Sequence, residues 1–195
     1  MEQLEATKVA DEILSLYQKY GDEDYIGEPV SQTEHMHQAA MLAEQGGYDE
    51  EIILAAFFHD IGHFCEHLMP VTQMDGYGVV DHEKLGADYL LSKGFSERIA
   101  SLVKNHVQAK RYLTFADTTY YEQLSDASRM TLSFQGGRMT AEEAAVFEQD
   151  ELFSLHLLLR RWDERAKVIA SSPPALDRYR KMIIHHLTGK NIQQL

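Results

Sequence analysis

The stretch Ile52-Ile53-Leu54-Ala55-Ala56-Phe57-Phe58-His59-Asp60-Ile61-Gly62-His63 decides how this chain is read. Its apolar run from Ile52 to Phe58 predicts a buried helix, and His59 and Asp60, two side chains costly to bury, follow at its end. Adjacent side chains leave a helix about 100° apart, so His59 and Asp60 can address two sides of one metal centre. Phe57 and Phe58 are placed to wall that centre off from water. The ordinary reading of His59 is a satisfied core histidine. Adjacency to Asp60 inside an apolar run makes that reading an expensive accident.

Distant ligand candidates follow the same logic. A metal site in a helical bundle takes inward ligands from several helices, because one helix presents few side chains to one point. His35, His82, His106 and Asp163 lie on four further predicted helices. Imidazole and carboxylate without thiolate suit iron, manganese or zinc. Four His and two Asp suffice for two metals sharing Asp60 as a bridge. Each has a plainer alternative: His82 as a surface residue near a cap, His106 at a helix C-terminus for the dipole, and Asp163, between Trp162 and Glu164, as a surface carboxylate. His37 faces away from His35, since residues two apart do not share a helix face. His67 reads as a loop residue, and His156, His185 and His186 as surface or core-edge residues.

The rest of the chain is helical in texture. Residues 2–20 carry Leu4, Val9, Ile13, Leu14 and Tyr17 at helical spacing, ending before Gly21. Ser31 with Glu34 forms a capping-box signature for a helix to about Glu44. Asp49 is placed to cap the central helix, expected to carry His59, Asp60 and His63. Asp81 opens a helix that stops at Gly94, and Ser96 one that runs through Leu102 to His106. Ser125 and Thr140 begin two shorter helices, and a long one starts near Glu151, passing Leu152, Leu155, Leu158, Leu159 and Trp162 before Asp163. Ser171-Ser172-Pro173-Pro174 marks a break, and the final helix includes Met182 and Ile183. No segment alternates long enough to demand a sheet, and no linker divides the chain. The expectation is one all-α domain over residues 1–195, a helical bundle.

Bulk properties narrow the function. With 195 residues, 44% hydrophobic and 25% charged, the chain has the balance of an ordinary globular protein. A formal net charge of −13 argues against nucleic acid as a partner. It permits a small anionic substrate, because bound dications make a pocket locally positive. Cys65 is the only cysteine, so no intrachain disulfide is expected. The acidic N-terminus lacks a signal-peptide pattern, and the apolar run is too short for a bilayer, so a cytoplasmic protein with no membrane partner is expected. Oligomeric state is not readable.

The order H…HD…H…H…D resembles the HD-domain superfamily of metal-dependent phosphohydrolases and oxygenases. Two branches, the cyclic-dinucleotide phosphodiesterases and the myo-inositol oxygenases, place Lys four residues after the first His of the pair; this chain has His63. Asp24-Tyr25-Ile26-Gly27-Glu28, Ala55 to His63, Gly76-Tyr77-Gly78-Val79-Val80-Asp81-His82-Glu83 and Phe95-Ser96-Glu97-Arg98-Ile99 resemble one family more closely. So do Asn105 to Leu113, Phe134-Gln135-Gly136-Gly137 and Arg161-Trp162-Asp163. It is the HD-domain 2-amino-1-hydroxyethylphosphonate dioxygenases, which form glycine and phosphate.

That resemblance implies a mixed-valent Fe(II)/Fe(III) pair with O2 as co-substrate. One iron would be held by His35, His59, Asp60 and Asp163, the other by Asp60, His82 and His106, with a small phosphonate chelating the first. It also implies outer roles for Tyr25, which closes over the iron when substrate is absent, and for His63, which faces the substrate. Lys110, one turn after His106, would meet the phosphonate, and Glu28 the substrate ammonium. Ser128 and Arg160 would be further anion contacts. On the residues alone, Lys110 reads equally as a solvated lysine beside Arg111, Ser128 as an ordinary helix serine, Arg160 as a surface residue, and Tyr25 and Glu28 as an ordinary loop. An N-methylated substrate analogue, a two-metal phosphohydrolase and a non-catalytic binding module stay as competing expectations.

Overall fold

The computed structural model describes residues 1–25, 27–169 and 175–189. Ten α-helices follow one another among them: α1 (Gln3–Tyr20), α2 (Gln32–Gln45), α3 (Glu50–Phe58), α4 (His82–Ser92), α5 (Glu97–Ala116), α6 (Thr118–Gln123), α7 (Asp126–Phe134), α8 (Ala141–Phe147), α9 (Phe153–Arg165) and α10 (Asp177–Thr188). A 3₁₀ segment, Ile61–His67, sits between α3 and α4. The described residues contain no strand, only the isolated bridges Asp24–Ser31 and Gln73–Val79. The architecture is an all-α bundle, as expected. The expected break at Ser171-Ser172-Pro173-Pro174 lies outside the described residues. No described helix is long and apolar enough to cross a membrane.

α3 is the axis of the bundle because it has no polar face: every residue from Ile52 to Phe58 is buried. It packs on α2, α5, α9 and α10, while α4 lies against α5 and α1 against α10. Its C-terminal end is pinned sideways. The Phe57 ring is stacked between Tyr179 (3.7 Å between centroids) and Tyr17 (4.5 Å). The Tyr17 hydroxyl donates to the Phe57 carbonyl at 3.0 Å, one of the carbonyls a helix end leaves without an intrahelical partner. The capping boxes at Ser31/Glu34 and Thr140/Glu143 are both formed, and Asp49, Ser96 and Ser125 cap as their positions predicted.

Several boundaries differ from expectation, each for a local reason. α3 does not carry His59, Asp60 and His63. It ends at Phe58 with His59 as its C-cap, and Asp60 turns out of helical geometry at φ −104°, ψ 10°. His63 follows on the tighter 3₁₀ segment. α5 does not stop at His106, because the buried stripe continues through Val107, Lys110 and Leu113 without a breaker. His106 is therefore mid-helix, and the dipole reading does not apply. Asp81 starts α4 from a left-handed conformation (φ 57°) without a side-chain cap. α6 is an addition, started by Asp117, whose carboxylate accepts from the Thr119 amide and hydroxyl. His156, expected at the surface or the core edge, is fully buried and stacked on Phe147.

The turn after Asp60 explains the glycine of the motif. A Cβ on Gly62 would stand 1.8 Å from the His82 carbonyl oxygen and 2.9 Å from the Gly86 amide nitrogen. Backbone meets backbone there, so α4 lies close enough to bring His82 beside Asp60. Gly62→Ala should therefore cost the metal-free protein at least about 2 kcal/mol, in the range of forced overpacking or above it. Urea unfolding of the two forms checks this; equal midpoints would mean that α4 shifts at no cost.

Candidate active site

Six buried side chains converge where α2, α3, α4, α5 and α9 meet. His35 comes from α2, His59 from the cap of α3, His82 from the first position of α4, His106 from α5 and Asp163 from α9, with Asp60 between them. They form two trios, His35–His59–Asp163 and Asp60–His82–His106, each with ligand atoms within 4.8 Å of one another. Asp60 joins them. Its Oδ2 lies 3.5 Å from His35 Nε2 and 3.3 Å from His59 Nε2, and its Oδ1 lies 3.4 Å from His82 Nε2 and 3.3 Å from His106 Nε2. Asp163, the surface carboxylate of the plainer reading, is 1% exposed and points Oδ1 at His35 Nε2 from 3.4 Å.

This donor set fits a pair of metal ions. All four rings address a backbone carbonyl through Nδ1: His35 to Ala166 at 2.9 Å, His59 to Ala56 at 2.8 Å, His82 to Val79 at 3.3 Å and His106 to Val103 at 2.7 Å. An Nδ1–H donated to a carbonyl leaves Nε2 as a lone pair aimed inward, the usual way a ligating histidine is oriented. Those lone pairs face each other, at 3.0 Å for His35 and His59 and 3.2 Å for His82 and His106. Without a cation between them such pairs repel. Nitrogen ligands of one metal, each bonded at about 2.1 Å, stand roughly 3 to 3.5 Å apart, so the spacing would suit neighbouring ligands. Asp60 Oδ2 and Asp163 Oδ1 are buried with no hydrogen-bond partner. A cation would complete both. The centre draws positive charge: burial alone would lower the His35 pKa, but Asp163 and Asp60 raise it to about 9. Burial favours protonation of Asp60 and Asp163. His59 and the other rings around Asp60, and Arg160 and His35 beside Asp163, outweigh it and hold both well below the ordinary value.

A cavity of about 330 Å³ opens onto this centre. Asp60, His82, His106 and Asp163 form part of its wall, together with Tyr25, Glu28, His63, Lys110, Ser128 and Arg160. Every residue expected at the site therefore either joins the metal trios or lines the cavity. Lys110 is not solvated; it is 2% exposed. Its ammonium donates to Thr131 Oγ1 at 2.7 Å and Gln135 Oε1 at 2.9 Å, both neutral, and no carboxylate among the described residues lies within ion-pair distance. Burial and then Arg160 bring its pKa down to about 7.

His63 is held as a neutral ring. Its face stacks on His82 at 4.1 Å, and its Nδ1 accepts the Val79 amide at 3.1 Å, which leaves the proton on Nε2. Burial, then the charge of His82, lowers its pKa to about 3. Gly78, at φ +95°, lies so close that a Cβ would meet the His63 ring at 2.5 Å. Tyr25 stacks on His35 at 3.9 Å with its hydroxyl toward Asp60; burial and Asp60 keep it a phenol, its pKa raised well above 10.

Two expected substrate contacts already have partners. Glu28 accepts from Lys167 Nζ at 2.7 Å. Arg160 is not a surface residue but 4% exposed; it donates to Asp163 Oδ2, to Glu164 Oε1 and, through Nε at 3.0 Å, to the Tyr120 hydroxyl. It thus holds the second oxygen of Asp163 and leaves Oδ1 for the centre. The sequence reading gave no site role to Thr131, Gln135, Lys167, Tyr120 or Glu164. Thr131 and Gln135 had a signal, since they stand three and seven residues after Ser128 on one helical face. Tyr120 had none, because only the tertiary fold brings its hydroxyl to Arg160 and Glu164, 40 and 44 positions away.

Asp60 serves both trios and Asp163 one. Asp60→Asn should remove both metal ions and Asp163→Asn weaken one by at least the roughly 10- to 100-fold that losing an outer-shell partner costs such a site. Metal content after equilibrium dialysis reads this directly. Two ions retained at full affinity by Asp60→Asn would refute the shared bridge.

Residues 33–153, more than half of the chain, match the HD domain family. The chain is 46% identical over 176 residues to the uncharacterized protein L432 of Acanthamoeba polyphaga mimivirus, covering 90% of this chain and 80% of that protein. It is 42% identical over 159 residues to the [1-hydroxy-2-(trimethylamino)ethyl]phosphonate dioxygenase (glycine-betaine-forming) of Leisingera caerulea, covering 82% of this chain and 80% of the relative. With the hydroxymethylphosphonate dioxygenase of Gimesia maris it shares 39% identity over 170 residues, 86% of this chain and 82% of the relative. Together with a dimetal ligand set in the order of the sequence motif, these matches establish that the chain belongs to the HD-domain family, in the group of dioxygenase enzymes that these relatives represent.

Proposed function

We propose that the protein cleaves the carbon–phosphorus bond of 2-amino-1-hydroxyethylphosphonate with O2, giving glycine and phosphate. The reaction balances as one substrate and one O2 to one glycine and one phosphate. The observation that carries the reading is Lys110: a buried ammonium beside the metal trios, hydrogen-bonded to neutral acceptors and, among the described residues, without an anion. A phosphonate would supply that anion. Relatives named as phosphonate dioxygenases support the same substrate class.

His35, His59, Asp60 and Asp163 would hold one iron and Asp60, His82 and His106 the other, and when bound as an Fe(II)/Fe(III) pair they supply one-electron chemistry with O2. The remaining residues bind and orient. Lys110, kept in place by Thr131 and Gln135, takes the phosphonate, with Ser128 on the same wall. His63 offers Nε2–H as a neutral donor to substrate oxygen. Tyr25, lying over His35, has to swing aside for substrate to reach the centre, and so keeps water off it meanwhile. Glu28 receives the ammonium. A primary ammonium, which donates hydrogen bonds, suits a carboxylate. A trimethylated one suits an aromatic cage, and of the two tyrosines on the wall, Tyr25 already has its ring against His35.

The direct experiment supplies iron-loaded, partly reduced protein with 2-amino-1-hydroxyethylphosphonate and follows oxygen and phosphate. Equal amounts of oxygen consumed and phosphate and glycine formed are expected. Phosphate released from an ester without oxygen would replace this reading with a phosphohydrolase. Lys110 adds a pH signature. With its pKa lowered to about 7, it is charged below that pH and loses its charge above it, so KM should rise as pH passes 7. Lys110→Met should raise KM at pH 6 roughly 10- to 100-fold, the value of a charge-assisted hydrogen bond, and flatten the rise. An identical pH profile in the variant would remove Lys110 from the anion site.

A further inference from the structure

Lys167 stands two residues beyond the end of α9, and its ammonium donates to Glu28 Oε1 at 2.7 Å. Both side chains are largely sequestered, 14% and 10% exposed, and both line the cavity. The same ammonium lies 6.0 Å from the centre of the Tyr25 ring, which in turn covers His35. A lysine head group and the tail of a primary aminophosphonate are the same chemical object, a compact cation with three N–H donors. Lys167 thus holds Glu28 in the way the substrate amine would.

We propose that Lys167 is the resident occupant of the amine subsite and sets the selectivity between phosphonates that carry a cationic tail and those that do not. This rests on reading the cavity as a phosphonate site. A substrate ammonium arriving at Glu28 does not make a new ion pair. It exchanges one for another, and gains only the difference between them. Lys167 can be displaced, because its four-carbon stem is flexible and an ammonium released to water is well hydrated. A phosphonate without a tail binds with the Glu28–Lys167 pair closed. The pair therefore lowers the advantage of a cationic tail without abolishing it, and lets one site accept short phosphonates of both kinds.

The test is the ratio of KM values for hydroxymethylphosphonate and 2-amino-1-hydroxyethylphosphonate, measured in wild type, Lys167→Met, Lys167→Gln and Glu28→Gln. Lys167 also faces Lys110 electrostatically, so its removal alters phosphonate binding in general, and the ratio cancels that common part. Freeing Glu28 should shift the ratio toward the aminophosphonate by roughly tenfold in both Lys167 variants, the scale of a partly buried charge pair. Glu28→Gln should shift it the other way. An unshifted ratio in the Lys167 variants, with KM raised equally for both substrates, would make Lys167 an anion contact and overturn the proposal. A shift toward hydroxymethylphosphonate would overturn it as well. Wild type that consumes oxygen with neither compound would instead defeat the phosphonate reading itself. Melting curves identify a Lys167 variant that fails to fold, and the other then carries the comparison.

Discussion

The carboxylate of Asp60 is the point on which the structure turns. Each of its oxygens faces two imidazole nitrogens at 3.3 to 3.5 Å, and four helices besides α3 deliver the groups around it. Such a charge is tolerated in the core only if it is surrounded by donors or cations. The fold meets that demand through backbone: four carbonyls fix four rings, and each ring then turns its other nitrogen inward. The aromatic stack of Tyr17, Phe57 and Tyr179 holds the end of α3 from the far side, so that Asp60 emerges at a fixed place. Core packing and metal-site geometry are in this sense one problem.

The cavity beside it is organised by how its charges are paired. Arg160 is balanced by Asp163 and Glu164, and Glu28 by Lys167, whereas Lys110 has only neutral partners. Among the described residues one cation of the wall is thus left for an arriving anion, on the side nearest His106, its neighbour one turn away on α5. His63 adds a donor without a charge, because the Val79 amide takes its other nitrogen. The overall acidity of the chain is consistent with this arrangement. The formal charge of −13 describes the surface, while the interior is locally poised to receive an anion once cations occupy the trios.

Much of this was legible in the sequence. The apolar run into His59 and Asp60 announces a buried, charged helix end. The helical periodicity, the capping boxes at Ser31 and Thr140 and the absence of alternation give the all-α class, because these signals are local and depend on neighbours within one or two turns. The order and types of His and Asp along the chain, which resemble the HD pattern, give the six metal candidates.

What the sequence left open, tertiary structure decided, and the reason is that ion pairs and close approaches join residues far apart in number. Asp163 and Lys110 read equally well as surface groups until α9 and α5 bury them. Lys167 reaches Glu28 across 139 positions, and Tyr120 reaches Arg160 across 40. Asp60 departs from helical geometry just before α4 meets Gly62, a contact between backbones that no side-chain pattern records. The six metal-ligand candidates were thus legible in the order of His and Asp along the chain. Charge pairing within the cavity, which decides what each of its ionisable groups is free to bind, came only with the packing of α5, α6 and α9 and the loop that carries Glu28.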